Sequence, residues 1–221
     1  DDLIPDFRAL CDAVHDAGGH IAAQINHGGM QCSRKTVDET VAPSAIDAPF
    51  LDRRPRALAS DEIDELIEAF AAAARRAQEA GFDAVQIHGA HGYLVNQFLS
   101  PYTNHQSDAY GPSEGGAAAG SDPVEGRTRF LAEICLAIRR RLGPDYPLFI
   151  KLGMTDGVEG GLTPESGARI AARLDGMGLD AVEISGGIGG GESFNTRGGI
   201  RTSSDEAYFR PLAQRARRDT T

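Results

Sequence analysis

Gly81-Phe82-Asp83-Ala84-Val85-Gln86-Ile87-His88-Gly89 and Gly178-Leu179-Asp180-Ala181-Val182-Glu183-Ile184-Ser185-Gly186 write one phrase twice in a single chain. In each copy a glycine closes a helical pattern, and an apolar run of strand type begins directly behind it. Two further runs of the same kind complete a set at residues 20-26, 83-89, 147-153 and 180-186. Helices precede them. Ile4-Pro5 opens one that ends at Gly18-Gly19, and residues 60-80 carry the stripe Ile63, Leu66, Ile67, Phe70 and Ala74, with Ser60 as cap and Gly81 as stop. Others fit 126-142, 164-177 behind a Thr163 cap, and 205-218, where Pro211 would interrupt the backbone bonding.

Helices alternating with apolar strands imply parallel strands joined by helical crossovers, hence a doubly wound sheet or a (β/α)8 barrel. Side-chain parity separates the two. One face of the runs is uniformly apolar: Ile21/Ala23/Ile25, Val85/Ile87, Leu148/Ile150/Leu152 and Val182/Ile184. The other carries Gln24/Asn26, Gln86/His88, Phe149/Lys151 and Glu183/Ser185, with polar groups toward the C-terminal ends. A barrel explains this asymmetry, because its interior face ends at the active-site mouth, whereas a doubly wound sheet covers both faces with helices. A barrel needs eight strands and typically ~250 residues. Four runs in 221 residues therefore predict an incomplete barrel. The start at Asp1-Asp2-Leu3 has no signal-peptide pattern and reads like the interior of a longer chain. The connections 27-59 and 92-124 are expected to be long loops, with a flexible insertion around 112-124.

A composition of 41% hydrophobic and 24% charged residues is that of a globular domain. The net charge of -10 disfavours polyphosphate and anionic-membrane partners, which leaves a small-molecule substrate. Cys11, Cys32 and Cys135 have no metal-type spacing and suit a reducing cytoplasm. No apolar run approaches the ~20 residues of a membrane span.

The sharpest chemical signal is His88-Gly89-Ala90-His91-Gly92-Tyr93, at the end of a strand and running into the loop behind it. Two imidazoles and a phenol at a barrel rim can hold one oxygen atom of a substrate. The bland alternative is histidines satisfied by backbone carbonyls, and zinc is disfavoured because no carboxylate or thiol lies nearby at ligand spacing. Lys151 points inward, where an ammonium needs an anion beside it: either an electron-rich cofactor or Glu183 one strand away. Gln24 is an inward amide, able to give and accept hydrogen bonds at a heterocycle edge. The glycines at 186-191 and 198-199 do not form a dinucleotide fingerprint.

These residues resemble the Old Yellow Enzyme family of NADH:flavin oxidoreductases, the branch with ene-reductases and 2,4-dienoyl-CoA reductases. The matching phrases are Ala23 to Gly29, then Gly81 to Gly89 continuing through His91-Gly92-Tyr93-Leu94 to Phe98-Leu99-Ser100-Pro101, then Asn104, Asp108, Tyr110-Gly111, Arg127 and Arg129-Phe130. Ile150-Lys151-Leu152, Gly160 to Thr163 and Ser185-Gly186-Gly187 complete them. The resemblance implies a (β/α)8 barrel with FMN across its C-terminal mouth, NADH or NADPH as reductant, and an unsaturated carbonyl compound as substrate. It implies that Gln24 and Lys151 bind the flavin, that His88 and His91 hold the carbonyl oxygen, and that Tyr93 protonates the α-carbon. The visible strands would be three to six of eight, in one partial FMN-binding domain over 1-221 without the first strands and the last two βα units. Two other readings stand beside it: a truncated, non-catalytic barrel whose open edges favour association, and an aldolase-like barrel using Lys151 as a Schiff base.

Overall fold

The computed structural model describes residues 1-112, 123-189 and 200-219. Most of the insertion expected at 112-124 lies outside them, as do Gly190, Gly191, Gly198 and Gly199. The chain runs from helix α1 (Ile4–Asp16) to strand β1 (Ala22–Ile25), then through the short strands β2 (Val41–Ala42) and β3 (Arg56–Ala57) to helix α2 (Ser60–Ala80). Strand β4 (Ala84–Gly89), helices α3 (Leu94–Leu99) and α4 (Pro123–Leu142), strand β5 (Leu148–Gly153), helix α5 (Pro164–Leu174), strand β6 (Ala181–Ser185) and helix α6 (Arg210–Asp219) follow. The four strands expected from the apolar runs form one parallel sheet in the order β1-β4-β5-β6.

Both copies of the repeated phrase start on a left-handed glycine, Gly81 at φ 95° and Gly178 at φ 72°, a conformation that costs a side-chain-bearing residue ~1-2 kcal/mol. The aspartate two residues on then does the same work in each. Asp83 N–H donates to the Ile21 carbonyl at 2.9 Å while its Oδ2 accepts the Ile21 N–H at 2.7 Å. Asp180 N–H donates to the Leu148 carbonyl at 2.8 Å while its Oδ2 accepts the Leu148 N–H at 2.8 Å. Each new strand is thereby clipped at two points to the start of its neighbour. Helix C-termini add cations or imidazoles to the same carboxylates: Arg139 of α4 to Asp180 at 2.6 Å, and His15 of α1 to Asp83 at 3.0 Å.

Parity follows from that register. Val85, Ile87, Leu148, Ile150 and Leu152 are fully buried and meet Ile63, Phe70, Ala71, Ile134 and Ile138 of the helical layer. Each such side chain contributes ~1.5-3 kcal/mol when taken out of water. Phe130 of α4 stacks on Phe98 of α3 with centroids 4.2 Å apart and receives Phe70 of α2 edge-on at 6.3 Å, which ties three helices together. A second, smaller cluster of Met30, Ala42, Ile46 and Ile188 sits beyond the strand ends, in the loops of the rim.

Several boundaries differ from expectation for local reasons. Ser60 does not cap α2: Ala59 takes the cap position, and Glu62 reaches back to its N–H at 2.8 Å. Thr163 does cap α5, through the Ser166 N–H at 3.3 Å. Helix α6 begins at Arg210, so Pro211 falls in its first turn, where no donor is needed. The long connections are not simple loops, since they contain β2, β3 and α3.

Helix α5 lies so close to β5 that a Cβ on Gly167 would come within 2.1 Å of the Met154 carbonyl oxygen. Alanine normally stabilises a helix interior by about 1 kcal/mol over glycine. Gly167→Ala is expected to reverse that sign and lower stability by roughly 2 kcal/mol or more. Gly176→Ala, where a Cβ meets nothing within 4 Å, should be neutral to thermal unfolding. Equal melting temperatures for the two variants would contradict the close approach.

Candidate functional site

The concave face of the sheet carries two groups of polar side chains. The first grows from the end of β4. His88 points inward there and is 6% exposed. Beyond it the chain turns through two left-handed residues, His91 at φ 61° and Gly92 at φ 72°, before Tyr93, in extended conformation, leads into α3. This turn brings three rings together: His88 and His91 have centroids 5.1 Å apart at 80°, and His88 and Tyr93 4.9 Å apart at 80°. His88 Nδ1 accepts the Ala90 N–H at 3.3 Å, so the neutral ring keeps its proton on Nε2 as a free-standing donor. His91 Nε2 lies 2.7 Å from Ser185 Oγ at the end of β6, and its carbonyl accepts from Gln31 Nε2 at 2.7 Å.

Burial sets the charge state of these imidazoles. Desolvation, helped by the charges of His91 and Lys151 and opposed by Glu183, pushes His88 down to about 4. Desolvation and Lys151 also lower His91, and burial alone lowers His27. At neutral pH the His88 and His91 pair is therefore an uncharged pair of hydrogen-bonding rings.

The second group crosses all four strands. Gln24 Nε2 donates to Gln86 Oε1 at 2.6 Å, and Gln86 Nε2 donates to Glu183 Oε2 at 3.0 Å. Lys151 Nζ completes the row at 2.7 Å from Glu183 Oε1. Partial burial works against the Glu183 carboxylate, but Lys151 and Gln86 outweigh it and hold its pKa below the usual value. Lys151 stands opposite His88 in the β4–β5 register, so the two groups adjoin. The sequence-derived residues Gln24, His88, His91, Tyr93 and Lys151 thus share one face near the C-terminal ends of parallel strands, and the Lys151–Glu183 pair expected from parity is present. Gln86, Ser185 and Gln31 were given no individual role by the sequence. Nor were Asn96 and Gln97, although two amides inside Leu94-Val95-Asn96-Gln97-Phe98-Leu99 are a visible anomaly in a buried helix.

Among the described residues no group of three or more His, Cys, Asp or Glu is placed to hold a metal ion, and no helix is long and apolar enough to cross a membrane. The three cysteines are free. A cavity of about 510 Å³ lies along the edge of β1, between α1 and α2, and reaches Gln24.

Residues 1-185 match the model of the NADH:flavin oxidoreductase / NADH oxidase family. The chain belongs to this family. It is 40% identical over 190 residues to an NADH oxidase of Thermoanaerobacter brockii, covering 85% of this chain and 28% of that protein. The Zymomonas mobilis old yellow enzyme homologue superposes with a TM-score of 0.77 at 29% identity, over 99% of this chain and 59% of its own. A 2-naphthoyl-CoA reductase in complex with 2-naphthoyl-CoA superposes at 0.80 and 29%, over 99% and 33%. The four-stranded sheet of this flavin oxidoreductase segment is accordingly part of a (β/α)8 barrel. The segment spans at most about half the length of the curated relatives it matches.

Because folding depresses the His88 pKa to about 4 from the ordinary value near 6.5, the unfolded chain binds more protons between those limits. Stability should therefore decline as pH falls through that window, by at most about 3 kcal/mol from this group. In His88→Asn that part of the slope is expected to vanish in urea unfolding at pH 7.0, 5.5 and 4.5. An unaltered slope would remove the assigned cause.

Proposed function

We propose that the rim described above belongs to an FMN-dependent oxidoreductase that takes hydride from NADH or NADPH and delivers it to an activated alkene, an enone or an unsaturated thioester. The observation that carries this reading is the pair of imidazoles 5.1 Å apart, His88 buried and His91 half-buried, with a phenol against His88. The family match and the 2-naphthoyl-CoA named for one structural relative support it.

The residues present fit FMN. A flat heterocycle with carbonyl, ring-nitrogen and N–H groups on one edge needs alternating donors and acceptors, and Gln24 and Gln86 supply both. Lys151 supplies a cation at the same edge, with Glu183 as its counter-ion until an anionic ring competes for it. When bound, FMN contributes a ring that takes up and releases hydride.

The chain's own residues do the rest. His88 Nε2–H and the His91 ring hold the substrate carbonyl oxygen. Two neutral donors in a dry site stabilise charge building on that oxygen without a counter-charge having to be desolvated. Electron density then leaves the β-carbon, which becomes the hydride acceptor. Tyr93, against His88, gives its hydroxyl proton to the α-carbon and regains one from solvent, so the alkene gains one hydride and one proton.

A second reading, of a non-catalytic associating unit, draws on Leu3, just before α1, and Phe7 and Leu10 of α1, which are 63%, 45% and 47% exposed beside the open edge of β1. Nothing favours the Schiff-base reading, since Lys151 is engaged by Glu183.

In a closed barrel that contains these residues, FMN should bind and cyclohexenone should support NADH or NADPH oxidation. His88→Ala and His91→Ala are expected to weaken enone binding and slow alkene reduction by roughly 100-fold, while the nicotinamide still reduces the flavin. Tyr93→Phe should slow flavin reoxidation by alkene with enone affinity preserved. A protein that neither retains FMN nor reduces the enone would end this reading, and equal losses in both half-reactions would end the histidine assignment.

A further inference from the structure

We infer that Asn96 is the positioning residue for both His91 and Tyr93, and that Asp156 holds Asn96 in that role. The inference rests on the function proposed above for those two rings, but its geometry stands alone. Helix α3 is wholly buried, and Asn96 and Gln97 are 0% exposed among its apolar neighbours. Buried amides are costly unless bonded, so their partners indicate what they are for. Asn96 Oδ1 accepts the Gly92 N–H at 2.6 Å, and Gln97 Nε2 donates to the Gly92 carbonyl at 2.7 Å. Both polar groups of Gly92 are thus held by side chains.

Gly92 stands between the two rings. Fixing it fixes His91 on one side, which sits in a left-handed conformation unfavourable for a non-glycine residue, and Tyr93 on the other. A free backbone would relax away from that conformation and take His91 off Ser185.

Behind Asn96 the β5 side is shaped to receive it. A Cβ on Gly153 would lie 3.3 Å from Asn96 Nδ2, so glycine leaves room for the amide. Asp156 is 2% exposed, and its Oδ2 accepts from Ser100 Oγ at 2.6 Å and from the Leu162 N–H at 2.6 Å. Asn96 Nδ2 and Asp156 Oδ1 are a donor and an acceptor both buried without a hydrogen-bond partner, and the amide works against the burial that raises the Asp156 carboxyl above its ordinary pKa. The amide thus faces Gly92 with its oxygen and Asp156 with its nitrogen, which sets its orientation.

The test uses the FMN-loaded protein and three variants: Asn96→Ala, Asn96→Asp, and the exchange Asn96→Asp with Asp156→Asn. Asn96→Ala removes the acceptor for Gly92. It should move the His91 imidazole NMR resonances well beyond those of His88 and slow flavin reoxidation by enone about tenfold, with reduction by NADH changed less than twofold. Asn96→Asp alone sets two carboxylates against each other and should also be slow. The exchange restores an amide facing a carboxylate and an acceptor facing Gly92, and should return both the resonances and the rate to within about twofold. The proposal is overturned if His91 and His88 shift alike, or if the exchange is no better than Asn96→Asp. Absence of enone reduction in the unmodified protein would defeat the proposed function and leave the resonance comparison to decide the inference.

Discussion

The structure depends on the two-point clip by which an aspartate at the start of a strand holds the backbone of its neighbour. Asp83 and Asp180 each give an N–H and take one at the same partner residue, Ile21 and Leu148. Parallel strands with evenly spaced bonds can slide, and a slip of one residue exchanges the two faces. With either clip misaligned by one, Val85 and Ile87 or Val182 and Ile184 would point into the mouth, and Gln86 or Glu183 would be driven into the helical layer. The apolar core and the polar row are therefore two results of the same alignment.

The concave face then separates two kinds of electrostatics. Where Ala90, His91 and Tyr93 close over His88, its ring is dry and uncharged, because imidazolium is expensive without water. Where the strands remain open, Lys151 and Glu183 stay paired with an amide on one side. The neutral imidazoles and the compensated cation sit side by side because Lys151, like burial, favours the uncharged rings, while Glu183, which pulls the other way, is engaged by Lys151.

Much of this was legible in the sequence because it is periodic or punctuated. Glycines mark the helix ends, the alternation of apolar and polar positions gives the two faces, and the His88 to Tyr93 phrase is dense in chemistry. What escaped is non-local or short. Asp83 and Asp180 looked like ordinary strand openers, since their partners lie far away in sequence. Gln86 was placed on the correct face, but its bond to Glu183 passes over a whole intervening strand. Helix α3 spans only Leu94–Leu99, too little for a helical period to declare itself. Glu62 replaced Ser60 in ordering the start of α2, a choice that depends on where Arg56 holds that carboxylate, at 2.7 Å.

The clip has a bearing on how such proteins arise. Each aspartate belongs to its own helix-strand unit and needs from the rest of the molecule only one N–H and one carbonyl of the strand it joins. A duplication event that copies the unit copies its alignment device with it, and the new strand lands in phase on the old. A helix-strand unit that carries its own alignment aspartate can be added to a parallel sheet without scrambling inside and outside, whereas β5, whose start has no such aspartate, takes its phase from the longer β4–β5 ladder.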